Sequence, residues 1–206
     1  MRRAAPIVVV AALVVAGTAV ASVTGRTTRH PIPAAGISLA TPSAWRAVDS
    51  RAVIASKAVQ SLLKENPQLA AIINQVAGAN SPVKFLSFDP RVTDHFATNV
   101  NVVVTSVPAN VTLPVLASAV ASQLKTLPGL ASPITSSRVT LPIGPAGKES
   151  FRLTVVTNGK KVTVQTLQYV LLLHAQSIVV TFSTTPSQSA RRAATFAAIA
   201  ASIHAP

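Results

Sequence analysis

Residues 151–183, FRLTVVTNGKKVTVQTLQYVLLLHAQSIVVTFS, leave a chain little choice but three consecutive antiparallel strands. Asn158-Gly159 lies between two runs rich in β-branched residues, and that dipeptide tolerates the positive φ values of a two-residue type I′ hairpin. Pairing Thr157 with Lys160 sets Phe151, Leu153 and Val155 opposite Thr166, Val164 and Val162. One face of the hairpin is then apolar, while Arg152, Thr154, Thr163 and Gln165 share the other. The next apolar runs, VLLL at 170–173 and IVV at 178–180, show no alternation. Apolar residues on both faces require cover on both faces. A second turn near His174, Ala175, Gln176 and Ser177 joins these runs into a meander, and helices must supply the cover.

The beginning of the chain reads as an export signal over 1–21. Arg2 and Arg3 form its basic start, 4–15 is an apolar run broken only by Pro6, and Ala19 and Ala21 are the small residues of a cleavage site before Ser22. Apolar and small residues continue to Val23, and about 20 residues span a bilayer, so an uncleaved anchor over 4–23 is the competing reading. With no cysteine there is no lipobox and no disulfide, and the exported domain must draw its stability from its core. Residues 22–35, with prolines and arginines among small residues, read as a flexible linker. The remainder, 36–206, has the length of one domain.

Within that domain, 36–42 is a short strand ended by Pro42, with Trp45 as a core plug beside it. Residues 50–64 suit a helix, and Asn66-Pro67 starts another that stops at Gly78. Strands follow at 83–88 and 99–107, with Asp89-Pro90 turning the chain out of the first and Pro108 ending the second. A helix begins near Thr112, carries the stripe Leu116, Val120, Leu124 and Leu127, and closes at Pro128-Gly129. A weakly alternating strand over 134–141 runs into a proline and glycine corner at 142–147. In the last helix Thr185 is the cap, Pro186 the first helical position and Gln188 the third residue after the cap, as a capping box requires. Its stripe is Phe196, Ile199, Ala200 and Ile203. The expected fold class is α+β, an antiparallel sheet with helices packed on its faces.

The segments SLATP at 38–42 with Trp45, FLSFD at 85–89, FATNVNV at 96–102, LPIGPA at 141–146 and IVVTFS at 178–183 carry a family resemblance. The chain resembles an actinobacterial group of secreted proteins of the Mog/PsbP-like α/β/α-sandwich type, to which DcrB-like and LpqN-like envelope proteins are similar. The resemblance spans about residues 36–204, and its motifs are structural. It implies an exported accessory or binding protein with no chemistry common to the group. The missing lipobox cysteine departs from the LpqN-like lipoproteins, so their mode of anchoring does not carry over.

No cysteine nucleophile, HExxH, P-loop or GxGxxG is present. Four scattered histidines lack metal-ligand spacing, so no metal, cofactor or catalytic residue is assigned. Asp94-His95 is the only adjacent acid and imidazole among five carboxylates. It reads as a turn, with a hydrolase built on this pair as the alternative. The net charge of +13 draws anionic partners at long range. Nucleic acid is disfavoured, because only 4% of residues are aromatic and the basic residues have no stacking platform among them. The candidate anion-binding residues are Lys148, Arg152, Lys160 and Lys161 around the first hairpin, with Arg191 and Arg192 as a second group. The expected partner is an envelope protein or an anionic lipid or glycan, met by an exported, non-enzymatic protein in the cell envelope or outside it.

Overall fold

The structure is a computed structural model and describes residues 25–48, 81–157 and 160–205. The leader with Ala19, Ala21 and Ser22, the helices expected at 50–64 and 67–78, and the Asn158-Gly159 turn lie outside the described residues. In chain order the elements are β1 (Thr27–Ile32), a 3₁₀ turn (Pro33–Ala35), β2 (Ile37–Pro42), β3 (Arg46–Val48), β4 (Val83–Thr93) and β5 (Phe96–Ser106). They continue with α1 (Leu113–Leu124), β6 (Thr135–Leu141), β7 (Gly144–Thr157), β8 (Lys160–Leu173), β9 (Gln176–Thr184) and α2 (Pro186–Ala201).

Seven strands form one antiparallel sheet in the order β3-β4-β5-β9-β8-β7-β6, and β1 and β2 form a separate ribbon. The β7–β8 register is the one the Asn-Gly dipeptide dictates, with Thr157 paired to Lys160 and Phe151, Leu153 and Val155 facing Thr166, Val164 and Val162. The 170–173 run is covered on both sides. Val170 joins Phe151, Leu153 and Val179 under the Leu116, Val120 and Leu124 stripe of α1. Leu171, Ile178, Val180 and Phe182 lie on the other face under Phe196, Ile199 and Ala200 of α2 and Ile203 beyond its end. The helices therefore pack on opposite faces of an antiparallel sheet, and Trp45 is buried in the α2-side core as expected.

Several local expectations are corrected. Residues 27–32 belong to β1, which pairs with β2 throughout its length. Ile32 and Ala35 are buried, so the described part of the stretch read as a flexible linker is anchored to the core. β4 does not end at Asp89-Pro90; it passes through with a register shift between Phe88 and Val92 and pairs again up to Thr93. A bulge accommodates the missing proline N–H there. Thr93 then pairs with Phe96, leaving Asp94 (φ 53°) and His95 (φ 62°) as a two-residue hairpin turn. The second turn expected near 174–177 is present, with Leu173 paired to Gln176 around His174 (φ 49°) and Ala175 (φ 57°). Both turns have the two left-handed central residues of type I′. The expected capping box of α2 is not formed: the Thr185 hydroxyl lies 3.0 Å from that of Ser187 and makes no cap hydrogen bond.

Candidate binding site at the β6–β7 hairpin

β6 turns into β7 through Pro142 and Ile143, with Leu141 paired to Gly144. Further from the turn, Ser137 lies opposite Lys148 and Ser136 opposite Glu149. Successive strand residues face opposite sides of a sheet. Lys148 therefore points toward the α2 side and Glu149 toward the α1 side, and each lines a groove.

The α2-side groove encloses about 510 Å³ between the sheet and the first half of α2. Its wall includes Thr135, Ser137, Lys148, Ser150, Gln165 and Phe196, so hydroxyl and amide groups surround one ammonium. Gln165 is fixed in place: its Nε2 donates to Ser150 Oγ and to the Phe151 carbonyl, each at 3.1 Å, and its Oε1 accepts from Arg152 Nε at 3.1 Å. Lys148 is half-buried, and its ammonium makes no hydrogen bond or ion pair among the described residues.

The α1-side groove, about 350 Å³, is lined by Leu113, Pro114, Ala117, Ser136, Arg138 and Glu149 among others. Gly147 permits this close approach of α1, since a Cβ there would stand 3.0 Å from Ala117 Cβ. Glu149 is 1% exposed. Burial pushes its carboxyl above the usual carboxylate range, an effect that the hydrogen bond from the Ser136 hydroxyl to Oε2 partly opposes. Glu149 also begins a buried polar row, because it faces Gln168, which faces Thr181, which faces Asn101. Gln168 Nε2 donates to Thr181 Oγ1 at 3.1 Å, while Gln168 Oε1 and both amide atoms of Asn101 have no partner. Buried polar atoms are rarely left so.

The other sequence candidates are spread out. Lys148 and Arg152 lie four residues apart on β7, about 13 Å at strand rise. Lys161 pairs with Val156 another four residues on, and Lys160 falls on the opposite face, with its Nζ 3.3 Å from His95 Nε2. One small anion cannot meet all four. Arg192 is engaged with Asp89 at 2.7 Å, whereas Arg191 is exposed. Asp94 and His95 form no dyad: the Asp94 carboxylate accepts from the Ser187 hydroxyl, and the His95 ring meets Lys160. Among the described residues no group of three or more His, Cys, Asp or Glu could hold a metal ion, and no helix is long and apolar enough to cross a membrane. The paired grooves escaped sequence reasoning, which treated Glu149 only as one carboxylate of five. The Lys148-Glu149 step inside an alternating strand was the available signal.

No protein-family model and no curated protein matches the chain. Solved structures do. The solution structure of cyanobacterial PsbP (CyanoP) from Synechocystis is similar at a TM-score of 0.54, with 17% identity over 92% of this chain and 98% of that one. LpqN of Mycobacterium tuberculosis, described as involved in cell envelope biogenesis, is similar at 0.51, with 12% identity over 89% and 87%. The Ran-binding protein Mog1p of Saccharomyces cerevisiae is similar at 0.50, with 10% identity over 87% and 95%. At these identities the likeness is one of fold, and the chain has the α/β/α-sandwich fold of the Mog, PsbP and LpqN proteins.

Proposed function

We propose that the protein is an exported, non-enzymatic accessory or binding protein of the cell envelope, which takes an anionic group of a protein, lipid or glycan into the α2-side groove at Lys148. The observation that carries this is the unneutralised, half-buried ammonium of Lys148 among hydroxyl and amide groups. Arg152 stands at the margin through Gln165, and Lys161 extends the basic row along the hairpin. Export rests on the leader over 1–21, and a binding role agrees with the Mog/PsbP/LpqN fold. The diverging Asp94 and His95 side chains offer no support for a hydrolase.

The test is binding of the exported chain to vesicles containing phosphatidylglycerol, against vesicles of phosphatidylcholine alone. Binding should fall steeply with salt, since the Debye length is about 8 Å at physiological ionic strength. Lys148→Ala should weaken it about tenfold, more than the distal pair Lys160→Glu and Lys161→Glu. Equal affinity of Lys148→Ala and the parent would remove the groove and leave only diffuse charge.

A further inference from the structure

We propose that the free edge of β6 is a docking rail for an extended segment of a partner protein, added as an eighth strand whose side chains reach Lys148 on one face and Glu149 on the other. This rests on the binding-protein reading above and gives its partner a chemistry.

β6 ends the strand order and, among the described residues, pairs only with β7. Its register runs from Thr135↔Ser150 to Leu141↔Gly144 without a bulge. Such an edge presents unpaired N–H and C=O groups to a new strand, and proteins usually blunt it with shortness, proline, lysine or bulges. The other edges are blunted: β3 is three residues long, β1 contains Pro31, and β2 ends at Pro42 and is bridged by His204 at Ser38. β6 has seven residues, TSSRVTL, with no proline and a single charge, Arg138, and residues 135–138 are exposed.

Strands lie about 4.8 Å apart, so an added strand would sit about 10 Å from β7, with β6 between. At positions 136 and 137 the intervening side chains are both serines, too short to block a longer side chain reaching across. An acidic residue beside Ser137 meets the free Lys148 ammonium over it. A basic residue beside Ser136 meets the Glu149 carboxyl over that one. Arg138 shares the α1 face with Ser136 and lines the same groove, which favours an acidic residue beside it. Read antiparallel to β6, the fitting segment is acid, acid, base. A lipid head group cannot present opposite charges to opposite faces of a sheet, whereas alternate side chains of one peptide strand do so by geometry.

The probe is a fluorescent peptide of about nine β-branched and polar residues with Asp-Glu-Lys at its centre, titrated into the full chain. It should bind, and the β6 amides should slow in hydrogen exchange. Reversing the centre to Lys-Lys-Glu should weaken binding at least about tenfold, and Glu149→Gln, which keeps the side chain's shape, should weaken the parent peptide severalfold. Methylating alternate peptide amides should abolish binding without touching the protein. A reversed or methylated peptide that binds as tightly as the parent overturns the rail. If no peptide binds while phosphatidylglycerol vesicles still bind through Lys148, the rail falls and the groove reading stands. Peptide binding that needs Glu149 but not Lys148 keeps the α1-side half of the rail and sinks the anionic groove.

Discussion

Asp89 and Glu149 are as buried as Leu171, and their surroundings push them in opposite directions. Burial alone would raise Asp89, but hydrogen bonds from Arg91 and the charges of Arg192 and Arg91 outweigh it and hold the carboxyl below its usual range. A depressed folded pKa means stability that is complete above the ordinary carboxylate range and lost as pH falls through Asp89's own lower value. Glu149 behaves in reverse. Its folded pKa is raised, so its contribution is complete below the ordinary range and lost as pH rises toward the folded value. In urea unfolding across pH, Glu149→Gln should flatten the loss on the alkaline side of the carboxylate range. Asp89→Asn should cost about 3 kcal/mol at neutral pH, because Arg192 is left partly buried with no carboxylate. An unchanged pH profile in Glu149→Gln would mean that the carboxyl is ionised and solvated. Neither environment was legible in the sequence: Arg192 reaches Asp89 from a helix a hundred residues away, and Ser136 reaches Glu149 across a strand pair.

At the level of elements, the hairpins divide by how much their turns disclose. Asn158-Gly159 announced the register, and the β7–β8 pairing follows it residue by residue. The His174-Ala175 and Asp94-His95 turns share a left-handed backbone with each other, and their side chains do not advertise it, so one was placed only roughly and the other was read as a turn without its hairpin. Ala175 sits at φ 57° with a Cβ that disfavours it. Ala175→Gly should therefore raise stability by roughly 0.5 to 1 kcal/mol despite the looser unfolded chain. Gly129, at φ 82°, is the contrasting position. A Cβ there would stand 2.3 Å from the Thr154 carbonyl oxygen, against which the 129–131 segment pairs. Gly129→Ala should cost about 2 kcal/mol or more. Thermal unfolding of the two variants checks both signs, and equal shifts would contradict the turn geometry. β1 was missed because Thr-Thr-Arg-His-Pro-Ile shows no apolar alternation; its pairing depends on the β2 partner and on the burial of its final residue.

Across the whole molecule, the sheet and its two helical faces followed from the apolar runs at 170–173 and 178–180, whereas the buried polar row did not. Asn101, Thr181 and Gln168 look like solvent-facing residues until the register lines them up beneath cover. The end of the described chain closes the α2-side core. Ser202 Oγ accepts from the Ala40 N–H at 2.8 Å, Ile203 is fully buried, and His204 exchanges backbone hydrogen bonds with Ser38. Ile203→Ala should lose about 3 kcal/mol. His204→Ala keeps the backbone contacts and should change stability by less than about 0.5 kcal/mol. Similar losses in denaturant unfolding would show that the closure depends on the imidazole. The β1–β2 ribbon has a mechanical consequence as well. Tension entering the chain at residue 25 meets β1 first, and the ribbon carries it before any strand of the main sheet. β6 is the last strand in the order, at the edge away from β3. A pull of this kind would load the β1–β2 hydrogen bonds first, at a strand pair that does not include β6.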